Sequence, residues 1–199
     1  MRKFSLFEGL GFLLFATPAF AHLDPAEHGS FMAGVSHPLF GLDHILAMVA
    51  VGLWAALLGS RGQRSALWLV PSAFVGAMAA GFGAALAGVT LPFVEPVILS
   101  SVIVIGLAAA TALSIPAGAA MAMVGFFAFF HGHAHGGELG SAGALSFGFG
   151  FALSTALLHF SGIATGLGLG RVFGGEAGRL ATRAAGMATA LGGLWLAIA

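Results

Sequence analysis

Hydrophobic residues in this chain form long continuous runs, and they do not alternate with polar ones. After the first twenty or so residues, six runs are each long enough to cross roughly 30 Å of hydrocarbon as a helix. Continuous runs favour helices over a membrane barrel, whose strands alternate apolar and polar side chains. The pattern predicts an all-α, polytopic membrane helix bundle. Its six transmembrane segments fall at about residues 38–59, 65–88, 94–113, 115–131, 142–169 and 179–198.

Composition supports a membrane setting. The 199 residues are 59% hydrophobic and only 7% charged, whereas a soluble domain carries about 25% charged residues. Thirty-two glycines suit closely packed membrane helices, and the glycine-rich faces at 162–170 and 76–83 are predicted to be packing surfaces. Cysteine is absent, which excludes disulfides and thiolate metal sites.

The first residues are typical of a secretory signal. Arg2 and Lys3 precede a short apolar stretch, Leu10–Ala16, and the sequence Ala-Phe-Ala at 19–21 is a small-residue cleavage site. These features predict a cleaved signal peptide at 1–21 and a single six-helix domain at 22–199. The alternative is an uncleaved first helix.

Basic residues of the mature chain lie in or beside two of the predicted loops, on one side of the membrane. If the mature N-terminus is external, both loops are cytoplasmic, which is the positive-inside pattern. All eight histidines lie outside or within the membrane by the same topology. The basic residues concerned are Arg61, Arg64, Arg171, Arg179 and Arg183.

The segment 37–44, HPLFGLDH, places ionisable side chains at the start of the first apolar run. A charge at the bilayer centre costs roughly 2.5–3.5 kcal/mol on insertion scales, so such groups point to function. Imidazole and carboxylate are metal ligands, which makes His37, Asp43 and His44 candidates. The alternative is an interhelical hydrogen-bonded pair formed by Asp43 and His44.

Helix geometry limits what this segment can do alone. His37 and His44 are two turns apart and share a face, but Asp43 projects about 100° away. One continuous helix therefore cannot close a three-ligand site, so either Pro38 and Gly41 distort the first turns or other segments supply ligands. Pro38 is predicted to start the helix, with His37 at its edge.

The segment 130–138, FHGHAHGGE, is the second candidate. His131 and His135 are four residues apart, Glu138 follows three later, and His133 lies off that stripe. Short histidine-rich tracts are metal-binding candidates by composition. The glycines in the same stretch predict a frayed helix end, and a merely solvated or pH-sensitive loop is the alternative.

Two further histidines complete the metal candidates. His159 lies near the middle of the fifth segment, beside Ser154 and Thr155, which suggests the inner part of a polar path; a buried structural histidine is the alternative. If cleavage exposes His22 as the first residue, its α-amine and ring could chelate a metal together.

Three stretches resemble signatures of the HupE/UreJ family: HPLFGLDHILAMVAVGLWA, FHGHAHGGE and TALLHFSGIATG. The first is also similar to, but one residue longer than, the H-x4-DH signature of larger nickel/cobalt transporters. The family comprises small bacterial membrane proteins linked to hydrogenase and urease and regarded as nickel permeases. The resemblance implies a multi-pass inner-membrane protein with a periplasmic mature N-terminus, in which His37, Asp43 and His44 are critical for transport.

Ligand chemistry by itself leaves the cargo open among Ni²⁺, Co²⁺, Zn²⁺ and Cu²⁺, so nickel rests on the resemblance. The predicted partners are a divalent metal ion and the lipid bilayer. Neither a permanent cofactor nor a nucleic-acid partner is predicted, and a homo-oligomer is left open. The alternatives are a Co²⁺ permease and a non-transporting, periplasm-facing accessory protein that binds metal. An enzyme is not expected, because HExxH is absent and no Ser/His/Asp set is evident in order.

Overall fold

The computed structural model describes residues 30–138 and 143–199. The predicted signal peptide at 1–21 and the candidate ligand His22 lie outside the described residues. Within them the chain is all-helical, as the apolar runs predict. The helices are α1 (Ser30–Phe40), α2 (Leu42–Ser60), α3 (Ala66–Leu86), α4 (Val94–Ala110), α5 (Ala117–Glu138), α6 (Ala144–Phe173) and α7 (Gly175–Ile198).

Four of the described helices are long and apolar enough to cross a membrane: α2, α3, α5 as far as Gly136, and α6. Helix α4 is apolar but has only 17 residues. Helix α7 is longer, but three charged residues (Glu176, Arg179 and Arg183) lie in its first nine positions. The chain is therefore a helical membrane protein by composition and length, and six spans stay a prediction.

The first predicted segment is not one continuous helix. Helix α1 ends at Phe40, Gly41 adopts an extended conformation with ψ of 113°, and α2 begins at Leu42. The prediction that Pro38 starts the helix is wrong, because Pro38 lies inside α1. A proline removes one backbone hydrogen bond of the helix that contains it, and α1 ends two residues later.

The fourth predicted segment is longer than expected, because α5 continues about two turns past His131 to Glu138. The prediction of a frayed helix end is wrong at Gly132 and Gly136, because both residues lie within α5. A Cβ on Gly132 would lie 1.8 Å from the Met78 carbonyl oxygen of α3, and one on Gly136 would lie 2.5 Å from that of Phe82. These glycines allow close contact of two helix backbones.

Glycine contacts also join α6 to the first two helices. A Cβ on Gly52 of α2 would lie 2.2 Å from the His159 carbonyl oxygen, and one on Gly162 would lie 2.2 Å from that of Val49. Both predicted packing faces make helix contacts. The 162–170 face does so through Gly162, and the 76–83 face does so through Gly81, where an added Cβ would meet the Phe129 carbonyl of α5. Within the second run, a Cβ added to Gly76 would have no atom within 4 Å.

One end of the bundle is rich in cationic donors. Arg61, Arg183 and Gln63 donate hydrogen bonds of 2.6, 2.7 and 3.0 Å to backbone carbonyls in the stretch 110–115, where α4 ends and α5 approaches. Cationic and amide donors at a helix C-terminus satisfy its free carbonyls and oppose its dipole. Because α2 runs from His44 to this end and α5 runs from it to His135, arginines and histidines occupy opposite ends.

Candidate metal centre

The break between α1 and α2 brings His37 close to His44. His37 lies in the last turn of α1, and Asp43 and His44 lie in the first turn of α2. Their imidazole rings are 5.4 Å apart between centroids. Gly41 leaves room for both side chains, since a Cβ there would lie 2.7 Å from His44 Nδ1 and 3.0 Å from Asp43 Oδ1 and would displace them.

His135 of α5 completes a group of three imidazoles. Its Nε2 lies 2.8 Å from His44 Nε2, and its ring centroid lies 4.2 Å from that of His37. One ligand nitrogen from each of His37, His44 and His135 lies within 4.8 Å of the others. These three residues are called the outer triad below.

The spacing within the outer triad suits a transition metal. With metal–nitrogen bonds of about 2.0–2.1 Å, two nitrogens bound at a right angle are about 3 Å apart, and two bound opposite each other are about 4 Å apart. The His44–His135 separation of 2.8 Å matches the first value. The longest separation, up to 4.8 Å, needs a small ring movement to reach a common ion.

Asp43 lies behind His44, on the side of the ring away from His135. Its Oδ2 is 3.0 Å from His44 Nδ1, whereas Nε2 of the same ring faces His135. The two atoms are close enough for an ion pair, but the angles of the contact do not fit a hydrogen bond. A carboxylate at Nδ1 favours a proton there and leaves the Nε2 lone pair for a metal. The sequence proposed Asp43 as a ligand, and the geometry favours an orienting role.

His131 lies one turn before His135 in α5, and no part of it is exposed. Its ring centroid is 5.3 Å from that of His44. Its Nε2 lies 2.9 Å from the hydroxyl of Ser101 in α4. His131 is therefore adjacent to the outer triad, on the buried side.

His159 lies deeper, on α6, with 1% of its surface exposed. Neither ring nitrogen has a hydrogen-bond partner among the described residues. The ring of Phe74 contacts it edge-on at 4.8 Å and also lies 5.8 Å from His131. Phe74 thus touches the two imidazoles that follow the outer triad, and a buried imidazole without a partner calls for an explanation.

Two predicted ligands are not brought into the outer triad. His133 projects from another face of α5, and its Nε2–H donates to the Val89 carbonyl at 2.7 Å, which ties α5 to the α3–α4 connection. Glu138 is the last residue of α5, and its proposed metal role stays a prediction. Of the histidines in 130–138, only His131 and His135 are buried.

Aromatic residues that sequence reasoning missed form the wall beside the outer triad. The Phe151 ring lies 5.0 Å from that of His135 and 5.9 Å from that of His37, and Phe147 lies 5.9 Å from His37. A signal was present, because Phe147, Phe151, Thr155 and His159 recur every four residues and so share one face of α6.

Comparison with known proteins gives a consistent answer. A family model described as HupE / UreJ protein matches residues 10–196. Protein HupE of Rhizobium leguminosarum bv. viciae is 44% identical over 185 residues, which cover 92% of this chain and 93% of that protein. No solved structure matches. The chain therefore belongs to the HupE/UreJ family.

Proposed function

We propose that this protein is an inner-membrane permease that carries divalent transition-metal ions, Ni²⁺ first among them, from the periplasm to the cytoplasm. The observation that carries the proposal is the outer triad, in which nitrogens from α1, α2 and α5 converge within 4.8 Å. Three imidazoles with no sulfur or multiple carboxylates suit Ni²⁺, Co²⁺, Zn²⁺ and Cu²⁺. The choice of nickel rests on the family resemblance, and Co²⁺ is the closest alternative.

The distribution of charge supports the proposed direction. Histidines occupy one end of the bundle and arginines the other, and the positive-inside rule assigns the arginine end to the cytoplasm. Metal would bind outside and leave inside. An inside-negative potential of 100 mV favours inward movement of a dication by about 4–5 kcal/mol.

Buried histidines continue inward from the outer triad. His131 lies beside His44, and His159 follows across Phe74. Two helical turns beyond His159, Gly166 lines a cavity of about 640 Å³ among α2, α6 and α7. We propose that the metal passes from the outer triad to His131 and His159 and then into this cavity. Single imidazoles bind weakly enough to release an ion, as conduction requires.

A paired substitution in α5 tests the proposal. His135→Ala removes a triad nitrogen, whereas the matched control His133→Ala removes an imidazole outside the triad, which is hydrogen-bonded to the α3–α4 connection. In proteoliposomes, His135→Ala should abolish uptake of radioactive Ni²⁺, and His133→Ala should retain most of it. Equal uptake by the two variants would contradict the assignment of the outer triad.

The second candidate function is a non-transporting accessory protein that binds metal outside and presents it to a partner. The Gly52–Gly162 crossing favours it, because the backbones of α2 and α6 touch between His159 and the inner cavity. The same proteoliposomes distinguish the two functions, since an accessory protein binds Ni²⁺ without accumulating it in the lumen. Competition by Co²⁺, Zn²⁺ and Cu²⁺ in one preparation would rank the cargo.

A further inference from the structure

A buried serine on α4, Ser101, lies between a backbone carbonyl and the ring of His131. The Ser101 hydroxyl oxygen lies 2.6 Å from the Ile98 carbonyl oxygen and 2.9 Å from His131 Nε2. A hydroxyl has one proton to donate. The shorter contact joins two oxygens, which would repel each other without a proton between them, so Ser101 donates to Ile98. It must then accept a hydrogen bond from His131.

This arrangement fixes the tautomer of His131. If Nε2–H donates to Ser101, the neutral ring has its lone pair on Nδ1. Nδ1 is buried and has no hydrogen-bond partner among the described residues. The ring is next to the outer triad, with its centroid 5.3 Å from that of His44. A lone pair with no partner at this place is suited to accept a metal ion.

We propose that Ser101 is a positioning residue that holds His131 as the Nε2–H tautomer, so that Nδ1 receives the divalent cation from the outer triad. The inference rests on the proposed transport function and deepens it. The Ser101 hydroxyl lies beside the ring of His131 in the way that the Asp43 carboxylate lies beside the ring of His44. A neutral hydroxyl orients the ring without adding charge, which allows weaker and more rapidly reversible binding.

The neighbouring serine provides a matched control. Ser100 donates to the Pro96 carbonyl at 2.6 Å from an exposed position and has no contact with a histidine among the described residues. Ser100→Ala and Ser101→Ala thus both remove a hydroxyl that donates within α4, but only the second removes the partner of His131. Ser101→Thr keeps the hydroxyl and serves as the rescue variant.

Two measurements in proteoliposomes test the inference. Ser101→Ala should lower the Ni²⁺ uptake rate by roughly 10- to 100-fold, the range seen when groups that orient metal ligands are removed. Ni²⁺ bound at the outer triad should be unchanged. Ser100→Ala should transport like the wild type, and Ser101→Thr should recover most of the uptake.

Solid-state NMR of ¹⁵N-histidine protein reads the tautomer directly, with His131 assigned by its loss in His131→Gln. The expected result is an Nε2–H signal in the wild type that becomes a mixture of tautomers in Ser101→Ala. An unchanged tautomer, or wild-type uptake by Ser101→Ala, would overturn the inference. Absence of uptake by the wild type would instead overturn the proposed function, and the NMR comparison would still decide the role of Ser101.

Discussion

The close crossing of α2 and α6 at Gly52 predicts how much a larger residue there would lower the free energy of unfolding. A Cβ at Gly52 would lie 2.2 Å from the His159 carbonyl oxygen, 2.7 Å from the Ile163 nitrogen and 2.8 Å from the Gly162 Cα. Nonbonded carbon atoms pack at about 3.5–4.0 Å. All three neighbours are backbone atoms and cannot rotate away, so Gly52→Ala must separate the helices by about 1 Å.

The matched control is Gly76→Ala in α3, where no atom lies within 4 Å of the added Cβ. Both substitutions gain the same helix propensity, about 1 kcal/mol, so this gain cancels in the comparison. Overpacking of a well-packed site costs about 1–3 kcal/mol. We expect the free energy of unfolding of Gly52→Ala to be lower than that of Gly76→Ala by about that amount.

Equilibrium unfolding in mixed detergent micelles, followed by tryptophan fluorescence, measures this difference. The displaced backbone also carries His159, so Gly52→Ala should reduce Ni²⁺ uptake more than it reduces Ni²⁺ binding at the outer triad. Equal stability of the two variants, together with normal uptake by Gly52→Ala, would refute the close backbone contact and its place in the path.

Two more predictions concern the two ends of the proposed path. Asp43→Asn removes the carboxylate 3.0 Å from His44 Nδ1. The variant should still insert into the membrane, and isothermal titration should show Ni²⁺ binding weakened by roughly 10- to 100-fold. Unchanged affinity would argue against the orienting role. A Cβ on Gly166 would lie 2.8 Å from that of Ala56, about 1 Å closer than the two Cβ atoms of a disulfide. With a small separation of α2 and α6, the Ala56→Cys, Gly166→Cys pair in this otherwise cysteine-free chain should form a disulfide when a thiol oxidant is added, and this bond should block uptake until it is reduced. Full uptake by the oxidised protein would place the path elsewhere.

The sequence predicted the three members of the outer triad as candidate ligands, but it did not predict that these three come together. His37, His44 and His135 were all candidates from their positions at the ends of apolar runs. His44 and His135 are 91 positions apart, and no spacing rule tells which of three alternate histidines in 130–138 faces α2. The packing of α5 on α3, through Gly132 and Gly81, decides that His135 faces inward and His133 outward.

The glycines of α5 have a packing role that helix propensity alone does not predict. Glycine lowers helix stability in isolation, which led to the prediction that α5 frays near Gly132. In the folded chain the same residue lets two backbones touch, and the contact extends α5 as far as Glu138. Ser101 had no sequence signal at all, because its proposed role depends on α4 lying beside His131.

The sequence by itself determined that the chain is helical, that it belongs in a membrane and that histidines and arginines segregate to opposite ends. These properties follow from hydropathy and charge along the chain, which need no partner segment. Only the tertiary structure decided which imidazoles meet, that Gly41 separates α1 from α2 beside His44, and that the Asp43 carboxylate lies at Nδ1 of His44. Metal ligation requires atoms a few ångströms apart, and that distance is set by helix packing between segments remote in sequence.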